Sequence, residues 1–247
     1  VLQGYDPAHL SQARPDVVVI GNALSRGNPL VEHVLDEGMS YVSGPQWLHE
    51  QVLAGRHVLA VSGTHGKTTT SSMLAWILEC GHAESPGYLI GGIPADFGVS
   101  ARLGRSRCFV IEADEYDTSF FDKRSKFLHY HPRGLIINNI EYDHADIFPD
   151  LASIQRQFHH LVRTVPASGV IVYPADDAAV ATVLAMGMWS RGRSFTLDDA
   201  GGEWRASLAL PDGSAFVLSD SSGARSVALE WQHKGRHNVS NALAAAA

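Results

Sequence analysis

The tightest constraint on this chain is a short turn, residues 63–68 (GTHGKT), that follows an apolar run at 58–61 (VLAV) and leads into an apolar helix face over 69–80. Strand, glycine loop and helix in that order predict an α/β protein with a phosphate-binding loop. Gly63 and Gly66 permit backbone conformations and a close approach that a side chain would block, so successive amides can surround phosphate oxygens. Lys67 brings a point charge to the outer phosphates, and the Thr68 hydroxyl suits a magnesium ion. The dipole of the following helix adds to both. The longer pattern GxxxxGK[ST] asks for glycine at position 61, where this chain has Val61, so the loop is a shortened variant.

Two further apolar runs, 108–111 and 135–137, each lead directly into a polar cluster. The first, EADEYD, presents four carboxylates within six positions: Glu112, Asp114, Glu115 and Asp117. Hard oxygen donors suit magnesium, and Glu112, at the strand end, is the expected ligand. A solvated acidic turn is the plainer alternative. In the second cluster, NNIEYDHAD, His144 stands between Asp143 and Asp146, which can orient its ring toward a metal or phosphate. Alone it reads better as a structural histidine. Three consecutive strand ends carrying such groups converge on one site in an open α/β sheet.

The first 56 residues carry their own strand and helix signals: 16–20 (DVVVI), a helix from Pro29, a strand at Tyr41-Val42, and a helix over 46–53. They read as part of a Rossmann-like domain, cut at its N-terminus, ahead of a nucleotide-binding domain over 57–247. Helices over 151–165 and 178–186 flank a strand at 170–173. Past Ser194, short alternating runs predict an antiparallel edge or a small antiparallel subsheet. The terminal GRHNVSNALAAAA opens a helix that supplies no stop signal. There His237 can stack on a base, and Asn238 and Asn241 share a face that can read an adenine edge. Asn238 fits a helix cap at least as well.

With 19 basic against 26 acidic side chains the charge of −7 has the wrong sign for a nucleic-acid partner. No run of eighteen apolar residues and no leader occur, so the expectation is a soluble cytoplasmic protein without a membrane partner. Cys80 and Cys108 have no paired spacing for a disulfide framework or zinc site.

Taken together, GTHGKTTT, EADEYD, NNIEYDHAD and GRHNVSNA resemble the Mur ligases of peptidoglycan synthesis, in particular the branch that acts on UDP-N-acetylmuramate. Within that branch the stretches GNALSRGNP, SGPQWL, LIGGIPADFGVSARLG and EADEYDTSFFDKRSKF resemble the ligases that join this nucleotide to L-alanyl-γ-D-glutamyl-meso-diaminopimelate. The ligase that adds L-alanine is the alternative within the family, and a non-catalytic ATP-binding module is the alternative outside it.

The resemblance implies a UDP-binding domain over 1–56, a central ATPase over 57–247, and a C-terminal domain absent from this chain. It implies ATP and Mg²⁺ as cofactors, with Gly63, Thr64, His65, Gly66, Lys67, Thr68, Thr69, His237, Asn238 and Asn241 at ATP. Lys67, Glu112 and His144 would act in catalysis, and Thr68, Glu112 and His144 at the metals. The carbamylated lysine of several sister ligases has no counterpart, because the helix after Asp146 offers Gln155, Arg156, Gln157, His159 and His160 instead. Arg26, Asn28 and Arg102, in loops rich in Gly and Ser, are the candidates for the muramoyl substrate.

Overall fold

A computed structural model describes residues 1–143, 148–198 and 201–247. The N-terminal stretch holds α1 (Ala8–Ala13), β1 (Val18–Ile20), α2 (Pro29–Asp36) and β2 (Tyr41–Ser43), with the two strands paired in parallel as a separate two-stranded sheet. Asn28 starts α2 by accepting from the amides of Leu30 and Val31, and Pro29 occupies a position where a missing N–H costs nothing. Its apolar stripe buries Val31 and Val34 against Ile20, and Phe120 from a distant loop packs on the same small core. The expected helix over 46–53 divides into α3 (Gly44–Leu48) and a π-helical turn, His49–Leu53.

The rest of the chain builds a ten-stranded sheet. Its elements are β3 (His57–Ser62), α4 (Lys67–Gly81), β4 (Gly87–Leu89), β5 (Ala101–Arg102), β6 (Cys108–Glu112) and a 3-10 turn, Lys126–His129. They continue with β7 (Gly134–Ile137), α5 (Leu151–Val162), β8 (Val170–Pro174), α6 (Ala178–Ala185) and β9 (Arg191–Leu197). Last come β10 (Trp204–Leu208), β11 (Ala215–Asp220), β12 (Ser226–Glu230) and α7 (Arg236–Ala246). The strand order is β12-β11-β10-β9-β8-β7-β3-β6-β4-β5, parallel from β10 through β4 and antiparallel at both margins.

Both faces of the central strands are covered, which is why their sequences are continuously apolar rather than alternating. Successive side chains serve opposite cores. Val58 and Ala60, Phe109 and Ile111, and Leu135 and Ile137 face α5 and α6, whereas Val61, Val110 and Ile136 face the side of α4 and α7. The antiparallel strands expected past Ser194 are present, and β9 and β10 join them to the main sheet as its edge.

No helix among the described residues is long and apolar enough to cross a membrane.

Candidate functional site

Because β3 lies between β6 and β7, the loops leaving these three strands meet. The loop after β3 is held open by two glycines with positive φ, Gly63 at 134° and Gly66 at 80°, and Gly66 caps α4. A Cβ on Gly66 would lie 2.5 Å from Asn241 Oδ1 and 3.0 Å from Asn138 Nδ2, so α7 and the end of β7 press directly on the loop. Asn241 is buried in this contact. The residue expected on the adenine face thus also presses its side-chain oxygen on the loop at Gly66.

The loop after β7 forms the back wall. The Thr64 amide donates to the Asn139 carbonyl at 3.1 Å, and the His65 amide donates to Asn139 Oδ1 at 2.8 Å. Asn139 Nδ2 returns a bond to the His65 carbonyl at 3.2 Å. Asn138 Nδ2 donates to Thr70 Oγ1 at 2.9 Å, and Thr64 Oγ1 accepts from the Glu141 amide at 2.9 Å. The exposed His65 ring stands 3.7 Å from the Glu141 carboxylate. Neither asparagine was singled out from the sequence. The signal available was the pair of amide side chains immediately after a fully buried strand.

The acidic segment after β6 separates into three destinations. Glu112 faces the start of α4: Thr68 Oγ1 donates to Glu112 Oε1 at 3.0 Å, and the Gly91 amide donates to Glu112 Oε2 at 2.8 Å. Asp114 and Glu115 face Lys67, whose ammonium lies 3.7 Å and 3.4 Å from their carboxylates and donates to the Gly63 carbonyl at 2.8 Å. Asp117 turns away to pair with Lys123 at 2.6 Å. Nearby, burial first and the charges of Asp114 and Glu112 second push the Tyr130 hydroxyl above its ordinary pKa.

Among the described residues no group of three His, Cys, Asp or Glu side chains forms a metal cage. Thr68 and Glu112 are nonetheless a fitting pair for magnesium, which takes one or two protein oxygens and completes its shell with phosphate and water. His144, the third expected member, lies outside the described residues.

At the start of α7, Asn238 Nδ2 donates to the Lys234 carbonyl at 2.8 Å, so its amide is engaged in the local turn, while His237 is exposed. Thr69 is half-buried in the first turn of α4. The three substrate candidates do not join this cluster. Arg26 is tied to Glu32 at 3.0 Å and Asn28 is spent as the cap of α2. Arg102 lies elsewhere. It pairs with Glu79, bonds the Pro86 carbonyl and stacks on Tyr88 and Phe97, at the end of α4 remote from the loop. Twelve residues of helix separate Glu79 from Lys67, about 18 Å.

Fold and site together define an α/β protein whose glycine loop, between a central strand and its helix, is walled by the ends of two neighbouring strands. Residues 61–247 match the Mur ligase middle domain. The chain belongs to the Mur ligase family. It is 53% identical over 247 residues to the UDP-N-acetylmuramate–L-alanyl-γ-D-glutamyl-meso-2,6-diaminoheptandioate ligase of Haemophilus influenzae, covering all of this chain and 53% of that protein. The solved structure of the corresponding ligase from Neisseria meningitides superposes with a TM-score of 0.91 at 50% identity, covering 99% of this chain and 76% of that one. A UDP-N-acetylmuramate–L-alanine ligase from an Arthrobacter species is 36% identical over 242 residues, 98% of this chain and 49% of that protein. The chain thus spans about half the length of the curated relatives it matches.

Proposed function

We propose that this chain is the nucleotide-handling part of an ATP-dependent ligase that joins UDP-N-acetylmuramate to L-alanyl-γ-D-glutamyl-meso-diaminopimelate. The observation that carries the reading is the convergence at the loop: Lys67 on its inner side, and Thr68 bonded to Glu112 at 3.0 Å on its outer side. The 53% identity to a ligase of that name supports the substrate assignment.

In the proposed reaction the muramoyl carboxylate attacks the γ-phosphorus of ATP, breaking its bond to the bridging oxygen to give an acyl phosphate and ADP, and the deprotonated peptide amine then attacks the acyl carbon, giving the amide and inorganic phosphate with loss of the amine's proton to solvent. A carboxylate approaching a triphosphate is repelled, and Lys67 and the amides of residues 63–68 offset that charge as it shifts. Thr68 and Glu112 would hold a magnesium ion, with His144 at a second, and the metal supplies further charge neutralisation. His237 and Asn238, with Asn241 behind them, serve the adenine. Residues 1–56 belong to the uridine-nucleotide domain and 57–247 to the ATPase domain, a division supported by their separate sheets. The proposed place of action is the cytoplasm.

Calorimetric titration with ATP and magnesium is the test: wild type binds, and Lys67→Ala binds at least tenfold more weakly, the loss of about 1.4 kcal/mol or more. Equal binding by the two would remove the site assignment. The likeness to L-alanine ligases keeps a second amine substrate in view. An assay of the full-length protein with tripeptide against free L-alanine separates them, and efficient use of alanine would overturn the tripeptide reading. Absence of phosphate release with every substrate would instead favour a non-catalytic ATP-binding module.

A further inference from the structure

The Lys67 ammonium is folded back into its own loop. Its side chain is only 11% exposed, and it donates to the carbonyl of Gly63 at 2.8 Å with the Thr64 carbonyl at 3.4 Å. Glu115, 3% exposed at its side chain, holds a carboxylate oxygen 3.4 Å away, and the more open Asp114 holds another at 3.7 Å. Glu112 instead accepts from the Thr68 hydroxyl and the Gly91 amide. A residue that only folded the segment would not need a buried charge beside the phosphate-loop lysine, because an ionised carboxylate out of water is costly unless a cation answers it.

We propose that Glu115 is a specificity-determining positioning residue: it holds Lys67 retracted in the loop, so that the ammonium is released to a triphosphate carrying its own divalent cation and withheld from bare polyanions. The proposal rests on the nucleotide reading above. To reach a phosphate, Lys67 must move off the two carboxylates, which lose its positive charge as the anion arrives. A metal-free triphosphate meets that repulsion in full. A magnesium-bound one arrives with part of its charge cancelled and can be accepted at a smaller penalty. The 3.4 Å separation from Glu115 is long for a hydrogen bond, so the effect depends on the charge of the group more than on a directed contact.

The test is calorimetric titration of the full-length protein with ATP in the presence of excess magnesium and, separately, with ATP and a chelator. In Glu115→Gln, metal-free ATP is expected to bind about tenfold more tightly than to wild type, while the magnesium complex gains less than about threefold. Equal factors for the two forms, or weaker binding of both, overturn the proposal. If Glu115→Gln does not fold, Asp114→Asn decides. Its carboxylate is about a third exposed, so the same selective tightening is expected at about two- to threefold, and no selective change refutes the idea. Failure of the underlying nucleotide reading is distinguishable, because wild type would then bind neither form.

Discussion

Replacement of Gly66 by alanine probes the loop most directly. The residue sits at φ 80°, a conformation that costs an L side chain about 1–2 kcal/mol. Its new Cβ would lie 2.5 Å from Asn241 Oδ1 and 3.0 Å from Asn138 Nδ2, so at least one amide must swing away. If Asn138 moves, its 2.9 Å bond to Thr70 Oγ1 is lost, about another 1 kcal/mol. The expected destabilisation is therefore about 2–3 kcal/mol, or about 4–12 °C in melting temperature for a chain of this size. Urea denaturation followed by circular dichroism measures the first quantity and a thermal melt the second. The double variant Gly66→Ala/Asn241→Ala should recover part of the loss, since the truncated partner no longer collides. A single variant within about 0.5 kcal/mol of wild type, or a strictly additive pair, would show that α7 does not press on the loop as described.

Glu112→Gln should remove most of the magnesium dependence of ATP binding, about tenfold in affinity; calorimetry with and without the metal checks it, and an unchanged magnesium effect sinks Glu112 as a ligand. Phe158→Ala, at a fully buried ring packed 5.6 Å from Phe127, should cost about 3–5 kcal/mol in chemical denaturation. Burial holds His129 below its ordinary pKa of 6.5, outweighing the neighbouring Asp122 carboxylate, with Arg124 and His49 pushing the same way as burial. Its folded pKa is thus below the unfolded one, so this stability is present above pH 6.5 and is lost as pH falls. The denaturation midpoint should drop from pH 7 to pH 5, and less steeply in His129→Gln; identical slopes would refute the assignment.

Much of the architecture was legible because the central strands are covered on both faces and so appear as unbroken apolar runs. The helix that begins at Pro29 showed through that proline, whereas its cap Asn28 reads in sequence as a substrate candidate. Three strands escaped notice. β4 (GYL) is three residues beginning with glycine, β5 (AR) is only two residues, and β9 (RGRSFTL) opens with an exposed Arg191 and a half-buried Arg193, so none has an apolar run. The loop glycines, Lys67, Thr68 and Glu112 were singled out by residue type, and the structure sets them side by side. Asn139 was not, since its work is to bond the backbone of another loop, and no local pattern announces a partner 74 residues away. Arg102 pairs with Glu79 across 23 positions of sequence, a partnership that no local pattern announces either.

The lacing of Asn139 to the backbone of Thr64 and His65 has a thermodynamic corollary. Two loops that share these bonds do not titrate as independent receptors. Whatever factor one ligand at the end of β7 imposes on affinity at the phosphate loop, the nucleotide must impose in return on that ligand. Order of addition then becomes a kinetic preference written over a symmetric equilibrium coupling, and loosening Asn139 would shrink that coupling from both directions at once.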